Sequence, residues 1–204
     1  MLKNKSYEIK LKLTAPRKIR NDFKNCERKG GLYGLVLLNR ENNIATKLTY
    51  SESSLRLMEN LKNKRIKGLP EIKEIFYNIG NVFIINEKKT INAYSTKIYK
   101  KLDDINKDKI EKFCAFILSK RLECMQTASK DRFINQNDIN EYEIKEAIKY
   151  CNKNLKSLLD AMIYLEYFID HSRKNNLKVK LDLYDPSDIL LSDSGQLIVI
   201  DPIA

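Results

Sequence analysis

Hydrophobic positions in the first half of the chain occur in short runs that are typical of β-strands. Leu32–Leu38 and Ile44–Tyr50 are two such runs, and the stretch between them is rich in Asn and charged residues. This pattern predicts a β-hairpin. Two further strands are predicted at Ile72–Tyr77 and Val82–Asn86, joined through residues 78–81.

One helix is predicted between these two strand pairs. Ser51 is a typical N-cap residue, and apolar residues follow it at helical spacing. These residues are Leu55, Met58 and Leu61. Gly68 and Pro70 are expected to end the helix.

The second half of the chain has a different period. From about Asp103 to Lys174 apolar residues recur every three or four positions, which indicates helices. Near the C-terminus, Ile189–Leu191 and Leu197–Ile200 are β-prone and flank the turn-forming residues 193–195. A terminal hairpin is therefore predicted.

Charge is distributed unevenly along the 204 residues. The 38 Lys and Arg exceed the 27 Asp and Glu, for a formal net charge of +11. Such a balance favours an anionic partner such as nucleic acid, although heavy use of Lys, Asn and Ile also fits an AT-rich genome. Residues 1–30 contain ten basic residues and three acidic ones, whereas residues 181–204 contain five aspartates and no basic residue. The two ends of the chain are expected to have different roles.

Cysteine use and hydropathy indicate a soluble cytoplasmic protein. The four cysteines are far apart, and His171 is the single histidine, so the spacing of a zinc site is absent. Reduced buried thiols are expected at Cys26, Cys114, Cys124 and Cys151. Neither a signal-peptide pattern nor an apolar run of about 18 residues occurs, so no membrane partner is expected.

A glycine-rich segment opens the first predicted hairpin. Gly31, Tyr33, Gly34 and Val36 follow a basic stretch. Glycine lets the backbone approach a ligand closely, and exposed N–H groups can bind phosphate oxygens. The alternative is that these are ordinary turn glycines.

A lysine on the next predicted strand is a second candidate for binding an anion. Lys47 lies among apolar β-prone residues and can bind an anion, or it can be an edge-strand lysine that prevents aggregation. Glu59, on the apolar side of the predicted helix, is its expected partner, with Glu52 as a competitor. A lysine oriented by an inward glutamate holds nucleotide phosphates in protein kinases.

Aspartates cluster in the C-terminal segment. The terminal hairpin is expected to bring Asp188 and Asp201 together, with Asp182 and Asp185 just upstream. Carboxylates this close raise one another's pKa unless a cation lies between them, and oxygen ligands suit Mg²⁺. Aspartates also occur simply in turns, which is the interpretation for Asp193.

The order of these motifs resembles the protein kinase-like fold. Asp182 and Asp188-Ile-Leu-Leu, followed by a turn and an apolar strand ending in Asp201, are similar to the catalytic loop and metal-binding aspartate of that fold. Within it, the chain resembles the early host-takeover serine/threonine kinase of short-tailed T-odd phages. Three segments carry this resemblance, residues 68–75, residues 80–86 and Ile200–Pro202, the last where most kinases have D-F-G.

The resemblance implies an α+β bilobal fold and an ATP site. Residues 1–90 form a small antiparallel β lobe with one helix, and residues 91–204 form a shortened helical lobe with a terminal hairpin at 179–202.

The cofactors implied by the resemblance are ATP and Mg²⁺. Gly31, Tyr33, Gly34 and Val36 cover the nucleotide, Lys47 contacts its phosphates and Glu59 orients Lys47. Asp182 accepts the substrate proton, with Asp185 as a spare candidate, and Asp188 and Asp201 bind the metal.

Several departures from the kinase pattern leave three functions open. Lys29 stands at the first glycine, Lys180-Leu181 replaces His-Arg, and Asp188 follows Asp182 by six residues rather than the usual five. The sequence also stops soon after Pro202, without an activation segment.

The first of the three predicted functions is a minimal Ser/Thr protein kinase that modifies host proteins. The alternatives are a pseudokinase that binds and inhibits a host protein, and a basic nucleic-acid-binding module.

Overall fold

The computed structural model describes most of the N-terminal half of the chain and parts of the C-terminal half. The described residues are 9–31, 34–84, 87–110, 112, 155–175, 179, 188–200 and 202. The chain divides into two compact units, one formed by residues 1–65 and 70–98 and the other by residues 66–69 and 99–203. Within the described residues, no helix is both long enough and apolar enough to cross a membrane.

The first unit is built on a six-stranded antiparallel sheet with strand order β1-β5-β6-β4-β3-β2. Its elements are β1 (Ile9–Leu11), α1 (Arg17–Asn25), β2 (Glu27–Gly31), β3 (Gly34–Asn39), β4 (Ile44–Thr49), α2 (Glu52–Leu61), β5 (Glu74–Ile84) and β6 (Glu87–Lys97). Every strand except β1 and β2 has a neighbour on both sides, so the centre of the sheet consists of β5, β6, β4 and β3.

The main core of this unit lies on one face of the sheet. Leu37 and Leu48 are almost fully buried there together with Ile91, and Ile19 from α1 packs into the same cluster. Because side chains alternate along a strand, Val36 and Lys47 lie on the opposite face. The sheet therefore has one apolar face covered by α1 and one face that carries Lys47.

The predicted first hairpin and its following helix are confirmed. Gly34 pairs with Thr49 at one end of β3–β4, and Asn39 pairs with Ile44 at the other. The Ser51 hydroxyl caps α2 by accepting a hydrogen bond from the Ser54 N–H. The helix ends at Leu61, well before the predicted end at Gly68.

The two strands predicted at 72–77 and 82–86 are one strand, β5. Residues 78–81 have turn composition, but they form an irregularity within this strand, where pairing shifts between Phe76 and Gly80. Asn78 takes a positive φ of 52°, and its N–H donates to Asn92 Oδ1 at 2.8 Å. The turn-forming residues are thus accommodated as a bulge within β5. The strand that pairs with β5 in a hairpin is β6.

The basic N-terminal segment is structured from residue 9 onward. Residues 9–31 form β1, α1 and β2. The first unit consequently contains two helices, α1 and α2, where one was predicted. The Ile19 side chain anchors α1 to the core and has no exposed surface. The charge of this segment alone does not predict such a buried residue.

The described part of the second unit contains two helices and the terminal hairpin. These elements are α3 (104–110), α4 (Leu155–Lys174), β7 (Ile189–Leu191) and β8 (Leu197–Val199). Helix α4 packs against β8, and Gln196 Nε2 donates to Ser157 Oγ at 2.8 Å. The terminal hairpin is confirmed, as is helix formation over residues 155–174.

Candidate functional site

The glycine segment forms the closed end of the β2–β3 hairpin. Gly31 and Gly34 are paired across it, and Tyr33 lies outside the described residues. A Cβ added to Gly34 would lie 2.0 Å from the backbone oxygen of Leu48. The close approach of β4 therefore requires glycine at position 34, independently of any ligand.

Lys47 is on an interior strand. Its strand, β4, lies between β3 and β6, so the edge-strand interpretation of this lysine is wrong. Lys47 is paired with Val36 on one side and with Tyr94 on the other, and cross-strand partners share a face. A half-buried lysine is therefore held beside Val36 and the buried Tyr94.

Glu59 lies on α2, the helix that follows this strand. It is half-buried, next to the buried Met58. Its carboxylate accepts a hydrogen bond from the Tyr77 hydroxyl, and this bond raises the pKa of Tyr77 above its ordinary value of 10.0. The Lys47–Glu59 pair stays a prediction. The competing partner, Glu52, forms an ion pair with Arg56 at 2.6 Å.

The C-terminal hairpin brings Asp188 next to the residue that precedes Asp201. Ile189 pairs with Val199, and the Ile200 N–H donates to the Asp188 carbonyl oxygen at 2.7 Å. Asp188 thus lies opposite Ile200 at the open end of this hairpin, and its expected approach to Asp201 stays a prediction. Asp182, Asp185 and Asp201 themselves lie outside the described residues, so their roles stay predictions.

Sequence reasoning missed a second group of polar residues, near the C-terminal end of α1. Asp22 is only 6% exposed, and Asn39 Nδ2 donates to its Oδ1 at 3.0 Å. The Cys26 thiol, half-buried and free of disulfides, donates to the same oxygen at 3.7 Å. The available signal was an aspartate placed between Ile19 and Phe23, on the apolar side of a short amphipathic helix.

The basic residues of the N-terminal segment are partly neutralised. Lys18 pairs with Glu74, and Glu27 pairs with both Lys29, at 3.3 Å, and Arg40, at 2.7 Å. The positive charge of residues 1–30 is therefore less available to an anionic partner than the sequence indicates. Nucleic-acid binding stays a prediction.

Comparison with known proteins finds distant structural likeness to solved structures. No known protein family and no curated protein sequence matches the chain. Among solved structures, the chain is similar to the choline kinase LicA from Streptococcus pneumoniae, with 16% sequence identity and a TM-score of 0.36. The match covers 90% of this chain and 66% of the other, so the chain spans less than two thirds of that protein's length. A TM-score this low assigns no fold, and the kinase interpretation continues to depend on the chain's own residues.

Proposed function

We propose that the chain is a minimal phosphotransferase of the protein kinase-like type, which transfers the γ-phosphoryl group of ATP to Ser or Thr hydroxyls of proteins. The observation that carries this proposal is the position of Lys47. A lysine is kept half-buried on an interior strand, opposite Val36 of a glycine-ended hairpin, and its strand leads directly into the helix that bears Glu59. This order matches the part of a kinase that holds the nucleotide phosphates.

The remaining roles follow from the resemblance. Asp182 would take the proton of the substrate hydroxyl as that oxygen bonds to the γ-phosphorus, and the bond from phosphorus to the ADP oxygen breaks. Asp188 and Asp201 would hold Mg²⁺, whose charge offsets that of the phosphate oxygens. Oxygen donors on the two ends of a hairpin suit this ion. If the phage resemblance holds, the protein substrates belong to the host.

The test is transfer of labelled phosphate from ATP in the presence of Mg²⁺. Lys47→Ala is expected to lower the rate about 100-fold or more, since it removes a fixed charge at the phosphates. Lys97→Ala is the matched control, because Lys97 is an exposed lysine on the neighbouring strand β6. Undiminished transfer by the Lys47→Ala variant would refute the proposal.

A pseudokinase that binds a host protein is the second candidate, and the Tyr77–Glu59 contact favours it. That hydrogen bond engages the carboxylate that an active kinase uses to orient its lysine. An active enzyme is expected to gain stability from Mg-ATP, by about 2.7 kcal/mol at a hundredfold excess over the Kd. A chain with neither thermal stabilisation by millimolar Mg-ATP nor phosphate transfer would support the binding protein instead.

A further inference from the structure

A polar cleft of about 850 Å³ lies in the first unit, at the turn end of the β3–β4 hairpin. Helix α1, the start of β2 and the β3–β4 turn surround it. Its volume falls within the range of about 300–1,000 Å³ that is usual for small-molecule sites. None of the residues predicted to bind ATP or metal lines this cleft, so it requires a separate explanation.

Asp22 lines the cleft and has an unused acceptor. Its Oδ1 is engaged by Asn39 and by Cys26. Its Oδ2 is buried and accepts no hydrogen bond from any residue that the structure describes. Oδ2 itself is closed to solvent, so a donor from the cleft reaches it only when the side chains around it move slightly. A buried carboxylate with an unused acceptor is unfavourable, which favours that movement.

The described basic side chains that line the cleft are already paired with other carboxylates. Two nitrogens of Arg40 donate to Glu27 Oε2, at 3.1 and 2.7 Å, and together with Lys29 they lower the pKa of Glu27. Lys18 pairs with Glu74 instead of Asp22. Neither cation compensates the buried carboxylate.

Two carboxylates of this cleft, Asp22 and Glu41, act on the Cys26 thiol. Burial raises the pKa of the Cys26 thiol above 9.0, and the charges of Asp22 and Glu41 raise it further. Both carboxylates therefore act on the same small region of the cleft. The unused acceptor at Asp22 Oδ2 favours an organic cation with N–H donors.

We propose that this cleft binds a small organic cation, an alkylguanidinium or a primary alkylammonium, with an N–H group donating to Asp22 Oδ2. Charge selects the cation, and the open acceptor selects one that carries N–H groups. Asn21 and Asn25, which also line the cleft, are placed to contact the rest of the molecule. The proposal is independent of the kinase function.

The first test is calorimetric titration of the full chain with n-butylguanidinium and n-butylammonium, with neutral n-butylurea as the matched probe. Saturable binding of either cation, without binding of the urea, supports the proposal. Asp22→Asn is expected to weaken that binding at least about tenfold through loss of a charge-assisted hydrogen bond. Asp104→Asn, an equal charge change at an exposed position, is expected to leave it unchanged.

Three results would overturn the proposal: no saturable binding of either cation, equal binding of the urea, or an unchanged affinity in the Asp22→Asn variant. A second measurement uses the unaltered chain, in case that variant does not fold. Cys26 lines the cleft, so its alkylation by iodoacetamide, followed by peptide mass spectrometry, is expected to slow when the cation is present and not when the urea is. Equal alkylation rates in all three solutions would refute the site.

Discussion

The two ends of the β3–β4 hairpin carry opposite chemistry. At the end where Gly34 pairs with Thr49, the neighbouring positions include a half-buried lysine, Lys47. At the turn end, where Asn39 pairs with Ile44, the buried group is a carboxylate, Asp22. The cation thus lies on the ribbon itself, and the anion lies on α1 beside the other end of the ribbon.

This difference shows that the net charge of the chain does not predict the local charge at each of its candidate sites. The formal charge of +11 favours anionic partners everywhere, whereas the cleft at the turn end combines Asp22 with Glu41. Local potential depends on which charges are buried and which are already paired. The two ends are therefore predicted to bind ligands of opposite charge.

The largest expected effect is at the glycine end. Gly34→Ala places a methyl group 2.0 Å from the Leu48 carbonyl oxygen, so the backbones of β3 and β4 must separate. We expect the free energy of unfolding to fall by about 2–3 kcal/mol, measured by urea denaturation.

Gly30→Ala is the matched control on the adjacent strand, because nothing lies within 4 Å of an added Cβ there. That variant is expected to change stability by no more than about 1 kcal/mol, towards greater stability. Equal losses in the two variants would show that Gly34 is not constrained by β4.

The glycine end also shows what sequence can and cannot provide. The hairpin, the N-cap at Ser51 and the terminal β7–β8 hairpin follow from local signals, namely alternation, cap chemistry and turn residues, and all three are confirmed. The bulge in β5 does not follow, because Asn78–Asn81 has the composition of a turn, and pairing with β6 and β1 keeps it within one strand. Non-local pairing overrode the local preference.

At the turn end, Asn39→Ala tests the bond that holds Asp22. The substitution removes the donor to Asp22 Oδ1 and leaves a buried carboxylate with the thiol as its described donor. It also removes the side-chain oxygen that accepts hydrogen bonds from the Asn42 N–H and side-chain amide. We expect a loss of about 1–3 kcal/mol in the free energy of unfolding, smaller than that at Gly34.

Asn42→Ala serves as the comparison for Asn39→Ala, since it removes one exposed side-chain bond of 3.3 Å within the same turn and leaves Asp22 unchanged. A loss in the Asn39→Ala variant no greater than that in the Asn42→Ala variant would mean that the hydrogen bond to Asp22 contributes no stability.

The site residues were less predictable than the strands. Lys47 was identifiable because a charged residue interrupts an apolar β-prone run, and its interior strand now excludes the edge-strand interpretation. Asp22 was not identifiable, because it lies in residues 1–30, a segment that is rich in Lys and Arg and was interpreted by its positive charge. Its importance depends on the packing of α1 against β3, two elements whose contact no local pattern encodes.

The smallest expected effect is on the ionisation of Cys26, and it tests whether the turn end is negative. Burial, Asp22 and Glu41 all raise the pKa of this thiol, so its alkylation rate is expected to reach half of its maximum above pH 9.0. Glu41→Gln should lower that midpoint, and Asp22→Asn should lower it further. Because burial is the largest cause, neither variant should remove the shift completely.

The sign of the accompanying stability change follows from the same shift. A pKa that is higher in the folded state means that the fold favours the protonated thiol, so this contribution is complete below pH 9.0 and is lost as the pH rises through the folded pKa. Glu87→Gln, at an exposed carboxylate on β6 paired with Lys89, should leave the alkylation midpoint unchanged. If Glu41→Gln also leaves it unchanged, the charge at the turn end comes from Asp22 alone, and a midpoint below pH 9.0 in the unaltered chain would mean that this end is not negative.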